Sequence, residues 1–339
     1  MPNDQPRAVT IAAIAEEAGV SVPTVSRVLN RRSDVAPGTR ERVERLLRDS
    51  GYRRRGTRAD GAGLIDLVFN DLDSPWAIEV MRGVEDAAHA AGVGTVISAV
   101  HREAGSTRQW LSNVRARASD GAVLVTTNLD PLLHEELRGL HVPAVVIDPA
   151  GVPDLQVPTI SSNNWAGGVS ATQHLVALGH RRIAHVAGRS TLCCSRARLD
   201  GYRAELRAAG IPLDPELVVE ADFNFESGFR AGRRLLDLAE PPTAIFAGSD
   251  ELALGVTEAL RRARLSVPHD VSVVGFDDLP LVRWSSPPLT TVSQPLVAMG
   301  RLAVHTVLRL VQGERLESTR VELATSLVVR DSTAPPPVR

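Results

Sequence analysis

Lysine is absent from this 339-residue chain, so every one of its 38 basic side chains is an arginine. Each cation is therefore a planar guanidinium able to hold phosphate or carboxylate in two-pronged geometry, although the bias itself reads mainly as a coding preference. Cysteine is nearly absent too. Cys193 and Cys194 are adjacent, which argues against an ordinary structural disulfide between them and fits a reducing compartment. No 18-residue apolar run and no signal peptide is visible, so the expectation is a soluble cytoplasmic protein without a membrane partner. Phosphate-loop and nucleophile-elbow motifs are missing as well, and His134-Glu135 lacks a second histidine at zinc-site spacing. No catalytic residue, metal or cofactor is nominated.

What is present is unevenly distributed. Residues 1–60 carry 12 arginines against 8 carboxylates, whereas the remainder carries 26 against 32. The amino-terminal end is thus the end suited to nucleic acid. The length accommodates a headpiece of about 60 residues and two medium lobes, and 43% hydrophobic residues can fill a sizeable core.

Residues 10–30, TIAAIAEEAGVSVPTVSRVLN, read as two short helices and a turn. Ile11, Ile14, Ala15 and Ala18 recur at helical spacing. Gly19 permits the reversal, and Val20 plugs it from below. Ser21 is a favourable N-cap and Pro23 falls in the first turn, where its missing N–H costs nothing. Val25, Val28 and Leu29 should face the first helix. That leaves Val22, Pro23, Thr24, Ser26, Arg27 and Asn30 outward, a set suited to a major groove: Arg bridges guanine acceptors, Thr and Ser serve phosphates or bases, and Val or Pro meets a thymine methyl. Ser21, Thr10 and Thr39 are counted with this DNA-contacting face. A third helix opens at Pro37, with Val43, Leu46 and Leu47 on one side and Gly51 as its expected cap. The bland alternative is a plain helical hairpin with a solvated polar face.

Residues 9–52 resemble the headpiece of the lactose-repressor/galactose-repressor family of bacterial regulators. The similarity continues through LGHRRIAHVAG (178–188), RLDGYRAEL (198–206), PPTAIFAGSDELALGV (241–256), VPHDVSVVGFDDLPL (267–281) and PPLTTVSQPLVAMG (287–300). The resemblance implies an all-α helix-turn-helix headpiece (7–52), a linker (53–63) and a periplasmic-binding-protein-like α/β core (64–331) of two doubly wound parallel-sheet lobes. The first lobe is expected at about 64–162 and 293–322, the second at about 163–292 and 323–331. It also implies a homodimer on double-stranded operator DNA, released by a small effector, expected to be a sugar. The alternatives are a repressor answering a non-sugar metabolite, or a carbohydrate- or nucleoside-binding enzyme on the same core, for which turnover would decide.

Periodicity beyond residue 63 agrees with such a core. Leu64–Phe69, Thr95–Ala99, Ala122–Val125 and Ala144–Ile147 read as buried strands with helices near 76–91, 106–118 and 131–139. A second series runs helix 165–178, strand Ile183–Val186, helix 196–209, strand Leu217–Glu220, helix 226–238, strand Ala244–Ala247, helix 251–264 and strand Val271–Gly275. Ligands of open parallel sheets collect beyond the carboxyl ends of the strands. There the chain places Ser74, Trp76, Thr126, Asp148, Arg196, Arg198, Asp222, Phe223, Asp250, Asp277 and Asp278. Guanidinium groups, carboxylates and aromatic faces suit a polyhydroxylated ligand. By motif position, the resemblance carries effector contacts onto Trp76, Arg198, Phe223, Asp277 and Gln294; Ser74, Thr126, Arg196 and Asp250 complete the candidate set. Bland readings stand beside these: Trp76 as a packed helix start, Asp250 as an N-cap, Arg196 as a surface residue and Cys194 as a wall.

The linker departs from the family pattern. Where the family has Pro-Asn and a short helix carrying a leucine wedge, this chain reads RRRGTRADGAG (53–63). Three glycines disfavour a helix, so a flexible basic tether is expected, with Arg53, Arg54, Arg55 and Arg58 on phosphates or a narrow minor groove. An inert, solubilising linker is the alternative.

Overall fold

A computed structural model of the chain describes residues 11–29, 35–49, 62–70, 72–100, 106–125, 136–140, 142–149 and 157–337. Thr10, Asn30, Gly51, Arg53, Arg54, Arg55, Arg58 and Thr126 lie outside these, as does most of the linker. The chain divides into two units, residues 1–60 and 61–339.

The first unit holds α1 (Ile11–Ala18), α2 (Val22–Leu29) and α3 (Pro37–Asp49). Gly19 takes a positive φ of 62°, and the Val20 amide bonds the Ala15 carbonyl at 2.9 Å, so the chain turns within three residues. Ile14, Ala15, Ala18, Val25, Val28 and Val43 form the buried seam, with Val20, Val35, Leu46 and Leu47 against it. Ser21 Oγ accepts from the Thr24 amide at 3.4 Å and lies 2.9 Å from Thr24 Oγ1. Pro23 is the second residue of α2, where no amide bond is lost.

The second unit runs β1 (Leu64–Phe69), α4 (Pro75–Ala91), β2 (Gly94–Ala99), α5 (Ser106–Arg117), β3 (Gly121–Val125), β4 (Ala144–Ile147), β5 (Thr159–Ser162), α6 (Asn164–Ala177), β6 (Ile183–Ala187), α7 (Cys193–Ala208), β7 (Val218–Glu220), α8 (Phe225–Leu236), β8 (Ala244–Ala247), α9 (Asp250–Arg262), β9 (Ser272–Asp277), β10 (Thr290–Ser293), α10 (Leu296–Val311), β11 (Arg320–Leu323) and β12 (Ser326–Val328). Two six-stranded sheets result, ordered β11-β5-β4-β3-β1-β2 and β12-β10-β9-β8-β6-β7. Pairing is parallel except between β10 and β12. Every residue of β3, β4, β8 and β9 is buried, the pattern of strands covered on both faces. The core is thus two doubly wound parallel-sheet lobes.

Three crossovers join the lobes: β5 to α6, β10 to α10, and β11 to β12. The second returns α10 to the first lobe, where Met299, Ala303, Val304 and Val307 enter its core. Contact between α4 and α10 requires glycine. A Cβ on Gly83 would sit 2.0 Å from the Val297 carbonyl oxygen, and one on Gly300 2.4 Å from that of Val80.

Two element limits differ from the sequence reading in ways that matter for the site. Helix α7 begins at Cys193 rather than 196, because Leu192 is extended and frees the chain to coil immediately after it. Strand β9 runs on to Asp277 rather than ending at Gly275, since its pairing with β10 continues to Ser293↔Asp277. Of the helix expected at 131–139, the part before residue 136 lies outside the described residues.

Candidate functional site

The crossovers pack side by side and place polar side chains from both lobes in one network. The Asn163 amide bonds the Leu323 carbonyl at 2.8 Å, and Thr325 Oγ1 donates to the Asn163 carbonyl at 3.2 Å. From the end of β5, Ser162 Oγ donates to Gln294 Oε1 at 2.5 Å; Gln294 Nε2 in turn donates to Asp277 Oδ1 at 2.5 Å. Gln294 therefore ties the end of β5 in the first lobe to the end of β9 in the second.

Arg198 is the centre of this network and only 3% exposed. Its Nε donates to Asn164 Oδ1 at 2.8 Å and its Nη1 to the Gly248 carbonyl at 2.5 Å, while Nη1 lies 3.8 Å from Asp277 Oδ1. The guanidinium stands 3.8 Å from the Phe276 ring centroid and 5.5 Å from that of Phe223. Stacking and charge pairing together hold a desolvated cation that neither would hold alone. Small residues make the room: a Cβ on Gly168 would lie 2.4 Å from the Arg198 carbonyl oxygen, and one on Gly188 2.2 Å from the Phe223 ring.

Carboxylates surround this cation. Burial pushes Asp277 up to about 7, against the pull of Arg198 and of the Gln294 amide. It pushes Asp148 up to about 6, again opposed by Arg198. Asp148 directly follows β4 with φ +46°, and its Oδ1 is buried without a hydrogen-bond partner. Asp250 is held well above the usual carboxylate range by burial and by Asp277. Across the cleft, Ser74 Oγ donates to Glu251 Oε2 at 3.5 Å, and burial brings Glu251 up to about 7.

The sign of the linkage is fixed by these shifts. A carboxyl whose folded pKa lies above its unfolded value stabilises the fold fully below the unfolded pKa, and loses that contribution as pH rises through the folded one. For Asp277 the loss runs from about pH 4, the ordinary carboxylate value, up to about pH 7. Thermal melts between about pH 4 and 7 should show wild type losing stability with rising pH more steeply than Asp277→Asn; parallel slopes across that range would contradict the assignment.

The nominated residues separate into those the structure brings together and those it does not. Arg198, Asp277 and Gln294 form one bonded cluster, with Phe223 over the guanidinium. Asp250 is fully buried, with Oδ1 accepting from Thr291 Oγ1 at 2.6 Å and Oδ2 from the Leu279 amide at 2.8 Å. It is the first residue of α9 and not its N-cap; Ser249 fills that position, accepting from the Leu252 amide at 3.2 Å. Arg196 points away from the cluster, donating to the Ser190 carbonyl and to Cys193 Sγ. Trp76 is half-buried and packs on the first lobe's core. Ser74 precedes α4 without capping it through its side chain. In the headpiece, Ser21, Val22, Pro23 and Arg27 are exposed, with Thr24, Ser26 and Thr39 half-buried.

Asn164, Ser162 and Glu251 belong to the cleft and escaped the sequence reading. The paired Asn163-Asn164 directly after an apolar strand was the available signal, since polar residues at a parallel strand's carboxyl end face the crevice. A cavity of about 230 Å³ opens at the crossovers, lined by Asp148, Ser162, Asn164, Trp165, Cys194 and Arg320 among others. It shares Ser162 and Asn164 with the network, while Arg198 and Asp277 do not line it, being spent on each other. Burial pushes the Cys194 thiol up to about 12, so it stays protonated as a wall group. A larger cavity, about 480 Å³, lies away from the cleft on the second lobe.

Among the described residues no helix is long and apolar enough to cross a membrane, and no group of three or more His, Cys, Asp or Glu could hold a metal ion.

Comparison with known proteins agrees with this architecture. Residues 10–55 match the model of bacterial regulatory proteins of the lacI family, and residues 172–333 match a periplasmic binding protein-like domain. The chain is 34% identical to the HTH-type transcriptional repressor CytR of Escherichia coli (strain K12), covering 97% of each chain. Among solved structures it resembles the complex of the transcriptional regulator CelR with cellobiose, at 36% identity and TM-score 0.75, covering 96% of this chain and 99% of that one. It also resembles the lac repressor dimer bound to operator and the anti-inducer ONPF, at 30% identity and TM-score 0.71, covering 97% of this chain and 100% of that one. With a helix-turn-helix reader at one end and a two-lobed ligand-binding core at the other, the chain is a DNA-binding transcriptional regulator of the lacI family.

Proposed function

We propose that this regulator is a homodimeric repressor whose α2 helices read two half-sites of an operator, and which an uncharged sugar entering the cleft releases from DNA. The observation that carries the reading is the Arg198–Asp277–Gln294 cluster, built from both lobes at their crossovers. Its groups alternate donor and acceptor as paired hydroxyls require, and Phe223 and Trp76 offer faces for the apolar side of a ring. In the described conformation the cluster satisfies itself. A ligand that takes over the Gln294 and Asp277 bonds therefore loosens the Ser162–Gln294 tie between the lobes, and so acts on lobe closure. Similarity to a regulator solved with cellobiose, and to a repressor solved as a dimer on operator, supports the sugar and the dimer. We propose no catalytic role: the relatives are regulators, and the chain acts in the cytoplasm where its operator lies.

For the DNA face, Arg27, Val22 and Pro23 are the base-reading residues, with Ser21, Thr24, Ser26 and Thr39 on phosphates or bases. Thr10, Asn30, Arg53, Arg54, Arg55 and Arg58 extend that face. Deleting the 53–55 triplet should weaken operator binding and flatten its salt dependence.

The dimer face we assign to the first lobe. Its edge strand β2 leaves Ile97 half exposed, and Ile78 on the neighbouring α4 is 49% exposed, an apolar edge that a second copy would cover. Ile97→Asp should yield monomers at micromolar concentration in analytical ultracentrifugation; an unchanged dimer would move the interface elsewhere. The sugar is tested by thermal-shift screening of neutral mono- and disaccharides, where a ligand stabilising wild type but not Asp277→Ala supports the cleft assignment and stabilisation of both contradicts it.

A further inference from the structure

The larger cavity of about 480 Å³ lies at the outer edge of the second lobe, between the end of β7 and one face of α8. β7 is the last strand of its sheet. Buried Val219 and Ala231 line the inside. Around them stand Arg189, from the loop after β6, and Arg230 and Arg234, which are four residues apart on α8 and so share a face. Arg230 donates to Ser227 Oγ at 2.8 Å rather than to a carboxylate. Arg234 enters no ion pair among the described residues. Like charges at this spacing repel in the absence of an anion between them.

Two carboxylates, Glu220 and Asp222, also line the cavity. Asp222 is already committed, accepting from Arg189 Nε. The balance left to a ligand is positive, and it is concentrated on the Arg230–Arg234 pair. The volume suits a small metabolite, and the mostly polar, arginine-rich lining suits an anionic group on it, with Val219 and Ala231 beneath.

The cavity is also wired to the cleft. Asp222 immediately precedes Phe223, the ring over Arg198, and Arg189 immediately follows Gly188, against which that ring is packed. An anion bonding Arg189 competes with Asp222 for it and bears on the loop that positions Phe223.

We propose that this cavity is a second ligand site, separate from the cleft, for a small phosphorylated metabolite. The phosphate sits between Arg230 and Arg234 in charge-assisted, two-pronged bonds, and the rest of the molecule covers Val219 and Ala231. The assignment stands whether or not the cleft takes a sugar.

The test is calorimetry of the full-length protein with glucose 6-phosphate and with inorganic phosphate as probes, repeated on Arg230→Ala/Arg234→Ala and on the control Arg207→Ala/Arg233→Ala, all four positions being exposed. The expected result is one saturable site for glucose 6-phosphate, weaker for inorganic phosphate, at least tenfold weaker in the first variant and unchanged in the second. Hydrogen exchange should slow within residues 218–236. No saturable binding of either probe, equal affinity in Arg230→Ala/Arg234→Ala, or protection confined to residues around Asp148 and Asp277 would overturn it.

Discussion

Arg198→Ala is expected to abolish the effector response, lowering effector affinity at least 100-fold while leaving operator affinity in the absence of effector within about threefold. The expectation follows from what Arg198 holds. Its guanidinium serves Asn164 on the first crossover and the Gly248 carbonyl before α9, and it is the cation beside Asp277 in a site with three buried carboxyl groups. Removing Arg198 leaves Asn164 Oδ1 and the Gly248 carbonyl without their donor and Asp277 without its neighbouring cation. The Asp277 carboxyl then shifts further toward its neutral form, which donates where the site needs an acceptor. Arg198→Lys is the informative companion. It keeps the charge but cannot serve Asn164 and Gly248 together or stack on Phe276 at 3.8 Å, so it should restore folding stability without restoring response. Fluorescence titration of effector alongside operator binding measures both quantities; a normal response in Arg198→Ala would remove this cluster from the effector site.

The second large effect is expected at the other end of the chain. Arg27→Ala should lower affinity for the operator by about 1 to 3 kcal/mol, the worth of one two-pronged base contact, with affinity for random DNA and effector binding unchanged. Arg27 is exposed on α2 beside exposed Val22 and Pro23, while the opposite face of the helix spends Val25 and Val28 on the three-helix core. The substitution therefore touches reading and not folding. An equal loss on operator and on random DNA would make Arg27 a phosphate contact, because phosphates carry no sequence information.

Much of this could be seen in the chain before the fold was known, and the reason differs by element. The strands at 144–147 and 244–247 are legible because both of their faces are buried, which writes an unbroken apolar run. β11 is not legible, since at the sheet's edge Arg320–Leu323 alternates polar with apolar residues and has no buried position. α2 is legible through its own cap and proline. Arg198 and Asp277 could be found because each sits in a motif of its own. Asn164 and Glu251 could not, because their roles come from partners far along the chain: Asn164 meets Arg198 34 positions later, and Glu251 meets Ser74 177 positions earlier. Asp250 illustrates the converse. A carboxylate at a helix start reads as a cap, yet the preceding Ser249 does the capping, and Asp250 braces the β9–β10 region through Leu279 and Thr291.

Placing Asp277 at a strand end also explains its backbone. It and Asp278 adopt φ values of +126° and +59°, a costly conformation for residues with a Cβ. Asp278 is clamped by Arg330 and Arg283. The strained pair aims one carboxyl into the cluster and the other out to the arginines.

Release by effector requires the cleft and the DNA-reading face to be thermodynamically coupled. This coupling is tested most directly by measuring operator affinity with and without saturating sugar, and sugar affinity with and without saturating operator, on the same dimer. Sugar is expected to weaken operator binding by some factor well above one, and operator to weaken sugar binding by the same factor. Tight sugar binding that leaves operator affinity unchanged would contradict it.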